Sequence, residues 1–174
     1  MREILRYGLT LALICIIASA SLAVVNTFTK SRIIAQAKAE EEGGLKEVLP
    51  EAEKFEAVKS GSEVLYYKAY AKDAKFIGVA FKASGKGYSS TIETLVGMSN
   101  KGDITAIKVL NQNETPGLGA RVAEPSFTDK FSNKKIEELS DVQAITGATI
   151  SSKAVIDSVR KKAQEIEEMI KNEK

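Results

Sequence analysis

Two hydroxyl-rich tetrapeptides in succession, Thr146-Gly147-Ala148-Thr149 and Ile150-Ser151-Ser152-Lys153, stand immediately before a stretch of helical periodicity. Small residues let a backbone turn tightly and approach a ligand closely. A helix start offers free backbone N–H groups and the positive end of the helix dipole, so the junction suits an anion, phosphate above all. Thr146, Thr149, Ser151 and Ser152 would add hydroxyl donors. Lys153 would add a charge in the first turn, where a cation is otherwise unfavourable to the dipole. The same residues suit a plain helix cap, with Thr149 or Ser151 accepting backbone N–H bonds while Gly147-Ala148 turns the chain. Residue types alone leave both open.

A second segment, Glu114-Thr115-Pro116-Gly117-Leu118-Gly119-Ala120, falls outside any periodic pattern. It reads as a surface turn, with Pro116 fixing φ and Gly117 supplying a positive φ. Yet Leu118 lies between two glycines, where an apolar side chain gains little unless it covers something. On that reading the segment is a lid over a flat cofactor. Gly85-Lys86-Gly87-Tyr88 supplies a third loop. It lacks the spacing and Lys-Ser/Thr ending of a nucleotide P-loop, and Tyr88 either stacks on a ring or ends a strand.

Absences narrow the chemistry further. The 174 residues include no histidine, which removes His-based triads, His-ligated haem and His-rich zinc sites. The single cysteine, Cys15, lies in an apolar run and can form neither an internal disulfide nor an iron–sulfur cluster. Neither a catalytic acid/base pair nor a metal-ligand set is evident. A formal charge of +2 without a basic cluster argues against nucleic-acid binding.

These segments must be positioned by one domain, since 174 residues allow little more. With 44% hydrophobic and 28% charged residues the chain is expected to fold. Residues 9–25 are uncharged and about long enough to cross a bilayer. Arg2, Arg6 and Ala18-Ser19-Ala20 also suit a cleaved signal peptide, but the apolar core continues past that point, which favours an uncleaved anchor. Basic residues flank both ends, so the charge rule does not set orientation. A helical connector follows, which Gly43-Gly44 is expected to interrupt and Pro50 to end.

From residue 64 the period shortens. Residues 64–70 and 76–81 read as one hairpin, turning at Lys72-Asp73, and residues 91–98 and 104–110 as another. Residues 126–139 read as a short helix and 151–172 as a long amphipathic one, with Val155, Val159, Ala163, Ile166 and Ile170 on one face. The expected fold class is α+β: an N-terminal transmembrane helix (1–30), a helical connector (31–60), and a domain (61–174) of antiparallel sheet with packed helices.

Thr146-Gly147-Ala148-Thr149, followed by Ile150-Ser151-Ser152, resembles the flavinylation motif of covalent FMN-binding domains. Paired with Glu114-Thr115-Pro116-Gly117-Leu118-Gly119 and an N-terminal span, it is similar to the G subunit of the Rnf electron-transport complex. It also resembles the C subunit of sodium-pumping NADH:quinone reductase. The resemblance implies FMN attached by a phosphoester to Thr149, with Thr146, Gly147 and Ala148 lining the phosphate. Glu114, Thr115, Leu118 and Gly119 would lie near the flavin. Gln143 stands where such motifs often carry an acidic residue.

The implied role is an electron carrier within a multisubunit translocase that passes electrons between ferredoxin and NAD. Implied partners are the other membrane subunits, membrane lipid, and a flavin transferase during maturation. The implied place is a prokaryotic cytoplasmic membrane, single-pass, with the domain outside the cytoplasm. A membrane-anchored assembly or ligand-binding module without flavin, and a self-standing reductase, are the competing readings.

Overall fold

The computed structural model describes residues 2–61 and 63–172. The chain divides into two units, Met1–Glu40 and Glu41–Lys174. The first is formed by helix α1 (Arg2–Val48), whose last residues belong to the second unit. Among the described residues α1 is the one helix long and apolar enough to cross a membrane. Several of its hydroxyls bond back to the carbonyl one turn earlier. Thr10, Ser21 and Thr27 donate to the carbonyls of Arg6, Ile17 and Ala23 at 2.9, 2.9 and 2.8 Å.

The second unit is built on a five-stranded antiparallel sheet in which neighbours in sequence are neighbours in space: β1 (Lys54–Ser60), β2 (Glu63–Tyr70), β3 (Phe76–Lys86), β4 (Thr91–Ser99) and β5 (Ile104–Asn111). Strand alternation sorts the side chains to two faces. On one, Phe81, Ile92, Val96 and Met98 pack under Phe127, Phe131 and Leu139 and under helix α3 (Thr149–Asn172). The α3 contribution is Val155, Val159, Ala163 and Ile166, all buried, with Ile170 partly buried beside them, the face expected from the 3.6-residue period. On the other sheet face, Ala69, Ala80 and Leu95 receive Leu45, Val48 and Leu49 from the end of α1 and the residue after it.

Four local expectations are corrected. Gly43-Gly44 does not interrupt α1, because the helix end lies against the sheet. A Cβ on Gly44 would lie 3.0 Å from Leu95 Cδ2, so the glycine serves close packing and not a break. The helix ends at Val48, just before Leu49 meets Pro50. Residues 54–60 are not helical: they form β1, an edge strand whose charged, largely exposed residues hide its period.

Gly85 and Lys86 are strand, paired with Ile92 and Thr91, so the loop begins at Gly87. The single helix expected over 126–139 is instead a short α2 (Pro125–Thr128) and tight turns at Asp129–Phe131 and Ile136–Asp141. Asn133, at φ 59°, redirects the chain there, and its N–H donates to Ile104 O at 2.8 Å. Pairing to the start of β5 outweighs helix continuity.

Candidate functional site

Three segments that the sheet holds together at one end surround a cleft of about 420 Å³: the turn between β3 and β4, the segment after β5, and the start of α3. Its lining comprises Tyr88, Glu114, Thr115, Leu118, Gly119, Gly147, Ala148, Thr149, Ile150 and Ser151. Sequence reasoning selected all of these except Ile150. Thr146, Ser152 and Lys153, also selected, do not line it.

Glu114 is the residue that gathers the segments. It is 6% exposed, and both carboxylate oxygens accept from protein donors. Oε1 accepts from the Ser89 and Ser90 N–H groups at 3.0 and 2.9 Å and from Ser90 Oγ at 3.2 Å. Oε2 accepts from the Tyr88 N–H at 3.1 Å and from Ser151 Oγ at 2.6 Å. The carboxylate fills the space above two glycines: a Cβ on Gly87 would lie 2.6 Å from Oε1, and one on Gly119 2.7 Å from Oε2. Burial by itself would raise the Glu114 pKa, but the Ser151 hydroxyl and the Ser90, Ser89 and Tyr88 N–H groups outweigh it and hold the group at about 2.

The start of α3 differs from both readings of its sequence in detail. Ser151 and Ser152 are 2% and 0% exposed, and buried hydroxyls need internal partners. Ser151 spends its proton on Glu114, while Ser152 Oγ donates to Ala148 O at 2.9 Å and accepts from the Ile145 N–H at 3.0 Å. Neither hydroxyl has a proton left for a bound ligand, and neither caps the helix.

Thr149 is exposed at the cleft, and its Oγ1 has no hydrogen-bond partner among the described residues. The first helical bond runs from the Ser152 N–H to Ala148 O at 2.9 Å. The N–H groups of Thr149, Ile150 and Ser151 therefore have no acceptor among the described residues. Gly147 turns the chain into this helix at φ 81°, a conformation that L side chains resist.

Opposite lies Leu118, on a turn closed by the Leu118 and Ala120 N–H groups donating to Thr115 O at 3.1 and 3.2 Å. A Cβ on Gly147 would be 3.5 Å from Leu118 Cδ2, so the two loops face each other. Tyr88, Leu118 and Ile150 are 72%, 48% and 55% exposed, and outside α1 only Met169 joins them among the described exposed large hydrophobics. Exposed apolar side chains and N–H groups without acceptors among the described residues thus meet at one cleft. Ile150 was missed because an apolar residue at a helix start reads as ordinary core. Ser90 was missed because nothing in a serine pair marks which one meets a distant carboxylate.

A family model described as FMN-binding domain matches residues 87–164, and one described as RnfG N-terminal region matches residues 1–48. The G subunit of the ion-translocating oxidoreductase complex of Methanosarcina acetivorans is 35% identical, the alignment covering 91% of this chain and 92% of that protein. The G subunit of the proton-translocating ferredoxin:NAD(+) oxidoreductase complex of Clostridium ljungdahlii is 33% identical, covering 90% and 88%. The crystal structure of NqrC from Shewanella oneidensis is 19% identical over 65% of this chain and 66% of that one, with a TM-score of 0.48.

FMN pairs a flat ring with a phosphate, and the residues present fit both parts. The volume lies within the roughly 300–1,000 Å³ of small-molecule sites. Leu118, Tyr88 and Ile150 would offer apolar surface to such a ring, and the start of α3 would offer donors to a phosphate.

Proposed function

The chain belongs to the G-subunit family of Rnf-type ion-translocating oxidoreductase complexes, and from that premise we propose that it is a membrane-anchored electron-transfer subunit carrying FMN joined through its phosphate to Thr149 Oγ1. The observation that carries the attachment is the start of α3. Among the described residues nothing bonds the Thr149 hydroxyl at the cleft or accepts from the N–H groups beside it. A capping threonine would have its oxygen engaged by the backbone.

When bound, FMN supplies reversible uptake of one or two electrons. The chain's own residues divide the remaining work. The N–H groups of Thr149, Ile150 and Ser151 would hold the phosphate, and Gly147 and Ala148 would leave that approach free of bulk. Leu118 and Tyr88 would cover the ring, and Thr115 O holds the Leu118 turn closed. Thr146 and Lys153, exposed beside the helix start, add polar and positive character outside the cleft. Ser152 fixes the turn into the helix from within the core.

Thr149 is a tether, and the chain offers no histidine or other evident base to activate its hydroxyl. A separate flavin transferase therefore makes the link. Helix α1 crosses the cytoplasmic membrane once and the domain lies outside the cytoplasm, which keeps the flavin at high effective concentration near the other membrane subunits.

The test is coexpression with a flavin transferase followed by a denaturing gel and intact mass. The wild-type chain gives a fluorescent band and an FMN adduct, Thr149→Ser retains some of both, and Thr149→Ala has neither. An adduct of undiminished yield in Thr149→Ala overturns the attachment.

A further inference from the structure

Glu114 is the only charged residue lining the cleft, and no lysine or arginine forms an ion pair with it among the described residues. Its surroundings are neutral: three backbone N–H groups, two serine hydroxyls, and the walls formed by Gly87 and Gly119. Burial penalises this charge, and hydrogen bonds from neutral groups, not a counter-ion, offset the penalty. A carboxylate has about four lone-pair sites. Five protein donors already claim them, which leaves Glu114 no hydrogen bond for a ligand. Whatever it does for a group in the cleft it does through its charge and through the segments it holds.

We propose that Glu114 is a fixed internal anion that sets the reduction equilibrium of the bound flavin from the cleft wall while it holds the Tyr88 turn against the start of α3. This rests on the cleft being the FMN site. Reduction adds negative charge to the ring, and a negative group in the wall opposes it. Glu114 therefore keeps the carrier a stronger reductant than the neutral residues around it would. Its partners do not cancel the charge: hydrogen bonds spread it over the Tyr88 turn and Ser151 but leave its sign in place. Among the described residues Tyr88 is the only other titratable side chain lining the cleft.

The experiment uses the full chain in detergent, loaded with FMN by a flavin transferase. Its readout is the flavin midpoint potential, with the FMN adduct confirmed by intact mass in each variant. At an effective dielectric constant of about 20, a unit charge about 12 Å from the added charge shifts such an equilibrium by roughly tenfold. For a two-electron couple that is about 30 mV. Glu114→Gln removes the charge and raises the potential by about this amount. Glu114→Asp keeps the charge and stays close to wild type.

An unchanged potential in loaded Glu114→Gln overturns the inference, as does a rise in Glu114→Asp equal to that in Glu114→Gln, which would assign the effect to packing. Should Glu114→Gln fail to fold, Ser151→Ala decides, because it keeps the charge and removes its shortest hydrogen bond. Its potential must lie at or below that of wild type, and a rise refutes the inference. Absence of the adduct from the wild-type chain would instead refute the FMN reading.

Discussion

Protonating Glu114 should cost the folded domain a defined amount of stability over a defined pH range. Burial alone would raise its pKa, but the Ser151 hydroxyl and the Ser90, Ser89 and Tyr88 N–H groups bring the folded value down to about 2, against an ordinary 4.5. A group whose folded pKa is depressed contributes stability above its unfolded pKa and loses it as pH falls toward the folded value. The contribution is thus complete at pH 7 and disappears between about pH 4.5 and pH 2. At about 1.4 kcal/mol per pH unit the whole is about 3 kcal/mol, of which about 2 kcal/mol is gone by pH 3.

Urea unfolding of the full chain in detergent, followed by tyrosine emission since the chain has 5 tyrosines and no tryptophan, measures it. Between pH 7 and pH 3 the wild type should lose about 2 kcal/mol more than Glu114→Gln, because every other carboxylate is common to both and cancels. Equal losses in the two proteins would refute the reasoning and leave the five hydrogen bonds without net effect on Glu114.

Gly147→Ala meets no obstruction nearer than Leu118 Cδ2 at 3.5 Å but must adopt φ 81°, so it should cost about 1–2 kcal/mol in the same urea assay. Thr105 Oγ1 donates to Val48 O at 2.6 Å, satisfying a carbonyl at the end of α1. Thr105→Val should therefore lower stability by about 1–3 kcal/mol, while Thr105→Ser stays closer to wild type. Burial raises the Tyr67 pKa, and Glu41, which accepts from its hydroxyl at 2.7 Å, raises it further. Phenolate absorbance should show Glu41→Gln lowering that value, though burial keeps it above that of free tyrosine. Leu118, half-exposed, should be replaceable by alanine with less than about 0.5 kcal/mol change in stability, while ring fluorescence of loaded protein becomes more accessible to iodide.

Much of the architecture was legible because it rests on local signals. The change from a 3.6-residue to a two-residue period marked both hairpins, and the apolar stripe of α3 named Val155, Val159, Ala163 and Ile166 from spacing alone. Edge strand β1 was illegible for the reason that makes it an edge: its residues face water and carry charge, so no period appears. Gly44 misled because helix propensity counts a glycine as a cost, whereas Leu95 on the sheet requires the space a side chain would occupy.

Within the site, residue types identified the cleft but not the division of labour among its hydroxyls. Thr149, Ser151 and Ser152 look alike in sequence. The bonds to Glu114 and to Ile145, distant along the chain or set by a turn, decide that one faces out and two face in.

In the sheet each strand pairs with the strand before it, so the meander can assemble in the order in which a ribosome delivers it. The cleft cannot. Glu114 and Ser151, whose bond closes it, stand 37 positions apart, and the last helix must emerge and dock before they meet. A nascent or truncated chain can thus possess a finished sheet and still lack a pocket, so any enzyme that recognises the pocket inspects only completed molecules.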